Sequence, residues 1–367
     1  MKIDTESPIP RYVQLAQWLE GRIDAGQLRP GDRVSSEREL ARMTGLTTMT
    51  VRQGLSELVR KGRLKREHGR GTFVTEAEIQ ALRVRIALLC HDLQGEIAEG
   101  YQFIVSEQIA GLQEILEPRG GALTVLNIDG SNRAEFERTL FAVERRFDGV
   151  IITGAMHGLR GFLNKAAAAG LPHVALSDPF RPGHQPPDGA NFVYPDARAA
   201  GVVAAEAFIA RGHQRIAYIG GNVERLAGFR AALAEKGLPL DQNLVAIDNA
   251  TSFIQCERAG YQACSQLMRM KPHPTAIFAG NDYRAFGALR ALIELRQDVP
   301  RQVSLIGCDD LRDCALAVPP LASIRLPHAA AARQAAQSLL EWLESPQTFK
   351  PALKPVAPEL VERASLG

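Results

Sequence analysis

Cysteine is scarce: five in 367 residues, at positions 90, 256, 264, 308 and 314. None forms a CxxC pair and the count is odd, so neither a disulfide framework nor a zinc ribbon is expected. Free thiols in a reducing cytoplasm fit that usage. Tryptophan is scarcer still, with only Trp18 and Trp342. No apolar run approaches the roughly 18–20 residues that span a bilayer. The first ten residues, MKIDTESPIP, have no apolar stretch of the secretory kind. There is no Gly-x-Ser-x-Gly, Walker loop or HExxH, so catalysis is not expected. Asp309, Asp310 and Asp313 have no matching cluster elsewhere and read as capping or ligand contact, so neither metal nor cofactor is expected.

Net charge is also small, +2. It is unevenly spread. Residues 1–75 hold fourteen Lys and Arg against nine Asp and Glu, a balance of +5, and the remainder carries −3. A basic front end on a mildly acidic body suggests an anionic partner for the front end alone. What is plentiful is apolar content, 46% over 367 residues. That is enough for more than one packed core.

The front end reads as three helices and a hairpin. Tyr12, Leu15, Ala16, Leu19 and Ile23 fall on one helical stripe, broken by Gly26 and Arg29-Pro30-Gly31-Asp32. Ser36-Glu37-Arg38-Glu39 is a capping box. It opens a helix with Leu40 and Ala41 inward and Gly45 at its end. A third helix from about Thr47 buries Val51, Leu55, Leu58 and Val59. Two short helices around a tight turn have helix-turn-helix geometry. Leu64 to Val74, with Gly69 and Gly71, reads as a β-hairpin wing with Arg70 at its tip. The start of the second helix of such a motif meets base edges, which selects Thr47, Thr48, Thr50 and Arg52. Arginine can read guanine with two donors. Arg60, Lys61, Arg63, Lys65, Arg66 and Arg70 supply phosphate or minor-groove charge; taken alone, that run reads equally as a solvated face, and Arg38 as a surface ion pair.

Pro10-Arg11-Tyr12, Pro30-Gly31-Asp32, Ser36 to Ala41, Thr50-Val51-Arg52 and Gly69 to Val74 together resemble the GntR-type winged helix-turn-helix, over nearly all of residues 8–75. The resemblance implies DNA contacts from Arg38, Thr48, Thr50, Arg52, His68 and Gly69. Ser35 replaces a usual proline, and Thr48 a common arginine, which should shift operator preference.

Residues 76–82 read as a short connector. From Arg83, β-branched runs near 84–90, 122–128, 149–153, 173–177, 215–220, 244–248, 275–280 and 303–308 alternate with helical stretches that include 98–117, 196–211, 223–236, 252–270 and 282–296. Repeated βα alternation implies parallel sheets faced by helices. Ligands in such folds bind beyond the carboxyl ends of strands. That points to Cys90-His91-Asp92, Thr153-Gly154, Ser177-Asp178, Asp248-Asn249, Asn281-Asp282 and Asp309-Asp310, each of which is singly also an ordinary helix cap. Neither tryptophan falls near these strand ends, so an aromatic platform for a ligand is expected from Phe253, which reads equally as a core residue.

Ala210 to Gly221, Glu224 to Phe229, Pro274 to Asp282, Val303 to Asp310 and Pro319 to Arg325 resemble the effector domain of LacI/GalR-type repressors, densely over 210–330 and thinly over 83–200. The resemblance implies a periplasmic-binding-protein-like fold of two α/β lobes joined by three crossings. The first lobe is placed at about 83–193, the second at about 194–322, and a helix near 327–344 returns to the first. It implies effector contacts from Arg225, Asn281 and Asp309, whose donors and acceptors suit vicinal hydroxyls. The whole chain is then an α/β protein with an N-terminal winged helix-turn-helix, similar in make-up to chimeric arabinose-type repressors. The function expected is a homodimeric, cytoplasmic transcription regulator that binds double-stranded operator DNA and a sugar-like effector. A sugar-processing enzyme and a sugar-transport binding protein are the alternatives weighed against it.

Overall fold

The computed structural model describes residues 10–24, 27–29, 31–60, 63–67, 70–75, 84–91, 102–128, 143, 146–154, 159–179 and 189–367. His68, Gly69, Asp92, Lys61 and the connector at 76–82 lie outside the described residues. The chain divides into two units, Met1–Arg83 and Val84–Gly367.

In the first unit the Pro10 carbonyl accepts from the amides of Val13 and Gln14 at 2.9 and 3.1 Å, starting helix α1, Arg11–Asp24. Proline suits that position because a helix start leaves amides unpaired anyway. Helix α2, Glu37–Thr44, opens on the capping box: the Ser36 hydroxyl accepts from the Glu39 amide at 3.3 Å and the Glu39 carboxylate from the Ser36 amide at 2.8 Å. Gly45 closes it at φ 72°, donating its amide to the Ala41 carbonyl. Helix α3, Thr48–Arg60, begins one residue later than the pattern places it. The reason is that the Thr47 hydroxyl accepts from the Thr50 amide at 3.2 Å, which makes Thr47 the cap. Strands β1, Leu64–Glu67, and β2, Gly71–Val74, pair antiparallel with Leu64 opposite Val74. Leu15, Leu19, Leu40, Val51, Leu55, Leu58, Leu64 and Val74 form one core.

Among the described residues, the second unit holds two six-stranded sheets. The first uses β3 (Arg85–His91), β4 (Ala122–Ile128), β5 (Gly149–Thr153), β6 (His173–Leu176), β7 (Phe192–Pro195) and β13 (Leu353–Val356). Their order is β13-β7-β6-β5-β3-β4, all parallel. The second uses β8 (Ile216–Ile219), β9 (Val245–Ala246), β10 (Ala276–Ala279), β11 (Ser304–Cys308), β12 (Ala322–Arg325) and β14 (Glu359–Val361). Their order is β14-β12-β11-β10-β8-β9, parallel except for β14 on β12. Helices α4 (Gln102–Leu116), α5 (Leu159–Ala168) and α10 (His328–Glu344) belong with the first sheet; α6 (Ala197–Ala210), α7 (Val223–Glu235), α8 (Phe253–Leu267) and α9 (Asp282–Glu294) belong with the second.

The chain passes between these two lobes after β7, after β12 and between β13 and β14. The lobe limits therefore differ from those read in the sequence. Tyr194 and Pro195 lie in the first sheet, and the last strand, 359–361, returns to the second. Small residues set the helix spacing. A methyl on Gly228 would run into the Arg198 carbonyl, and one on Gly201 into the Arg225 carbonyl, so α6 and α7 cross backbone to backbone. That crossing fixes the start of α7, where Arg225 is carried.

Candidate functional site

In the first unit, Arg38, Thr47, Thr48 and Arg52 are exposed and Thr50 is half-buried. The Thr47 and Thr50 hydroxyls lie 2.9 Å apart and satisfy each other, so Thr48 presents the freer hydroxyl at the start of α3. Arg52 does not stand alone. Its Nε donates to both Glu37 oxygens at 3.2 and 3.0 Å, and one terminal nitrogen donates at 2.9 Å. That terminal nitrogen and the other one are left to form a fork. Hydrogen bonding from Arg52 holds the Glu37 carboxyl below its ordinary pKa, against a smaller opposing effect of burial. Arg66 adds a contact to Glu37 at 3.4 Å. Elsewhere in the basic run Lys65 and Arg70 both pair with Glu67, at 3.2 and 2.6 Å, and Arg63 lies 3.9 Å from Glu20.

In the second unit the polar residues gather at the carboxyl ends of the second lobe's strands. Asn222 caps α7 by accepting from the Arg225 amide at 2.9 Å. Arg225 is 6% exposed, donates one terminal nitrogen to the Gly280 carbonyl and leaves a buried Nε without a partner among the described residues. Asn281, after β10, spends its side-chain oxygen on the Arg284 amide at 2.9 Å and directs its amide nitrogen to the Cys256 sulfur at 3.5 Å. Its acceptor is thus committed to capping α9, and what remains is donor capacity. Asp309 follows β11 at φ 110°, a left-handed conformation that a non-glycine residue adopts only when its surroundings fix it. Asp282 does much of that fixing. Fully buried, it accepts from the Leu311 amide at 2.8 Å and the Ser323 hydroxyl at 2.6 Å. Burial first, and the Asp309 charge second, push the Asp282 carboxyl well above its ordinary range. Burial raises Asp309 as well, and Arg225 and Arg284 oppose it.

Phe253 stands at the start of α8, 38% exposed and 5.7 Å from the Tyr283 ring, so it is not a core residue. In the first lobe, Asp178 follows β6, half-buried, with its charge acting on Tyr194. The Thr153 hydroxyl at the end of β5 is buried and donates to the Gln108 side-chain amide oxygen, Oε1, at 2.6 Å. Glu107 on α4 feels Arg325, Asp310 and Arg312 of the second lobe, and its field reaches Asp309. Glu107 therefore lies within electrostatic reach of the second lobe.

Residues 11–74 match the bacterial regulatory proteins of the gntR family, and residues 205–366 match the periplasmic binding protein-like domain. The chain is a DNA-binding transcription regulator. The arabinose metabolism transcriptional repressor of Geobacillus stearothermophilus is 26% identical over 375 residues, covering 98% of each chain. A PurR transcriptional repressor of Vibrio atlanticus is 26% identical over 343 residues, 90% of this chain and 98% of its own. Among solved structures, a transcriptional regulator CelR–cellobiose complex aligns with TM-score 0.63 and 23% identity, over 90% of this chain and all of its own. The Escherichia coli transcriptional repressor ascG aligns with TM-score 0.61 and 25% identity, over 77% and 99%.

Several residues of this regulator escape sequence reasoning. Arg284 reaches across to Asp248 through Nε at 2.9 Å and through a second, shorter contact, and also donates to the Ala250 carbonyl at 3.0 Å. One turn into a helix, it reads as a surface residue. Glu37 reads only as a first-turn acid of α2, because its partner lies fifteen residues away on α3. Met49, 71% exposed among the threonines, is an apolar group where a thymine methyl could be met. His328, 7% exposed, has no partner at either ring nitrogen among the described residues.

Proposed function

We propose that this regulator represses transcription by gripping operator DNA through residues 1–75 and changes that grip when a small sugar-like molecule binds between the lobes of 83–367. The observation that carries the reading is the convergence of Arg225, Asn281 and Asp309 at adjoining strand ends, with a buried guanidinium nitrogen still unpaired. Hydroxyl-rich ligands supply the acceptors and donors such a site lacks. Phe253, with Tyr283 beside it, offers an aromatic face, and Asp178 follows β6 in the first lobe, with Asp92 as the other first-lobe candidate from the sequence. The relative named for arabinose metabolism, and the cellobiose-bound structure, support a sugar as the class. On the DNA side Arg38, Thr47, Thr48, Thr50, Arg52 and Arg70 are the contacts, with His68 and Gly69 from the wing.

The active form is a cytoplasmic homodimer in this reading. Leu316 and Val318, 78% and 79% exposed on one loop, supply apolar surface for a second copy. Two copies match the paired half-sites that helix-turn-helix proteins use.

The test is a thermal-shift screen of the full chain against pentoses, hexoses, disaccharides and their phosphates, followed by DNA binding with and without any hit. A bound sugar raises apparent stability by mass action. A sugar that stabilises the protein and also alters its affinity for a promoter fragment supports the reading. A stabilising sugar that leaves DNA affinity unchanged contradicts it.

A further inference from the structure

Among the described residues, Met49 is the apolar side chain on the otherwise polar outer face of α3. Val51, Leu55 and Leu58 of that helix are buried. Gly54 packs so closely on α1 that a methyl there would lie 2.9 Å from the Tyr12 carbonyl oxygen. These four residues fix the rotation of the helix. At about 100° per residue, Met49 falls about 170° from the centre of their face. It shares the opposite, exposed face with Thr48, Arg52, Gln53 and Ser56. Of these five it points most directly away from the core, and it is 71% exposed.

Folding does not ask for methionine there. Glutamine, lysine or glutamate would hold the helix as well and leave no apolar surface in water. What covers Met49 must offer an apolar group within a negatively charged surface. Residues 1–75 carry a balance of +5, and Arg38, Arg52, Lys65, Arg66 and Arg70 are all exposed. Duplex DNA meets both conditions, because the C5-methyl of thymine is an apolar group on a base edge in the major groove. Arg52 sets the place. It follows Met49 by three residues, so the two are neighbours on the helix surface, about 5–6 Å apart at their β-carbons. Base pairs rise about 3.4 Å. The base Met49 covers therefore lies within about two base pairs of the one Arg52 reads.

We propose that Met49 is a specificity-determining residue that packs on the C5-methyl of an operator thymine within about two base pairs of a G·C pair. This rests on the reading of residues 1–75 as the unit that grips DNA. Part of the operator choice is then made by burial of a methyl, beside the hydrogen bonds offered by Arg52 and the threonines.

The experiment begins with selection of an operator by the full chain from a random duplex library. Each thymine of the selected duplex is then replaced in turn by deoxyuridine, which removes the methyl and keeps the pairing. Fluorescence anisotropy compares wild type, Met49→Ala and Met49→Gln on every duplex and on a scrambled one. Deoxyuridine at one thymine of a half-site should weaken wild type about fourfold, the worth of one buried methyl, and leave both variants unchanged. On the unmodified operator both variants should bind about fourfold or more weakly than wild type, and on scrambled DNA all three should bind alike. Deoxyuridine effects as large in both variants as in wild type would assign the methyl to another residue and overturn the proposal. So would a wild type indifferent to deoxyuridine at every thymine, or a responding thymine isolated in a longer A·T run. Those results would leave the DNA-gripping reading standing, because a sequence had been selected. A library that yields no enriched sequence would contradict that reading and this proposal together.

Discussion

Arg52 and Glu37 form an ion pair that, at this exposure, adds little to stability, and in the proposed reading it sets up the base contact. Its value is orientation: with one edge of the guanidinium on Glu37, the other edge is presented as a fork matched to guanine. Arg52→Ala should weaken binding to a selected operator roughly ten- to hundred-fold while changing non-specific binding little. Glu37→Gln should give a smaller loss in the same direction, because the fork is kept but its plane is freed. Fluorescence anisotropy on operator and scrambled duplexes at one salt concentration measures both; an equal loss on the two duplexes would assign Arg52 to phosphate. A second residue-scale consequence concerns acid. His328 binds its proton less readily folded than unfolded, so the unfolded chain gains protons first as pH falls below about 6.5. Stability should therefore be lost between about pH 6.5 and 4, by an amount of order 3 kcal/mol from this group. Urea midpoints across that range should fall more steeply in wild type than in His328→Phe; parallel curves would contradict the assignment. The sequence singles out Asn281 and Asp309 by their place after a strand, and Arg225 only through the family resemblance. It did not carry Arg284, Glu37 or His328, whose partners are set only by how helices cross.

Elements were legible where periodicity and caps agreed. Helices α1 to α3, the capping box at Ser36 and the β8, β10 and β11 runs are all readable as residues. Strands β7, β12, β13 and β14 are not. They are three or four residues long, β13 contains Pro355, and only two residues separate β13 from β14 although they join different sheets. Such strands are defined by the sheet edges that receive them, which no local pattern encodes. Helix α5 was passed over in the same way. The crossing of α6 and α7 gives an element-scale prediction. Gly228→Ala puts a methyl against the Arg198 carbonyl and should cost about 1–3 kcal/mol of stability in the second unit. It should also weaken the sugar response, because α7 carries Arg225. DNA affinity measured without sugar should be unchanged. A variant that melts and responds like wild type would show that the helices part without moving the site.

At the scale of the whole molecule, function requires that binding in the second unit change binding by the first. The coupling is a free-energy difference: a hundred-fold change in operator affinity needs about 2.7 kcal/mol of differential binding between two states. In the proposed reading the two lobes, joined by three crossings, are the element that changes arrangement when the sugar binds. The most direct measurement is a titration of operator-bound full-length protein with the stabilising sugar, followed by anisotropy, in wild type and in Asp309→Asn. The account predicts that the sugar shifts wild-type operator affinity at least tenfold, and that Asp309→Asn binds operator normally but no longer responds. An Asp309→Asn protein that responds to the sugar as wild type does would contradict it.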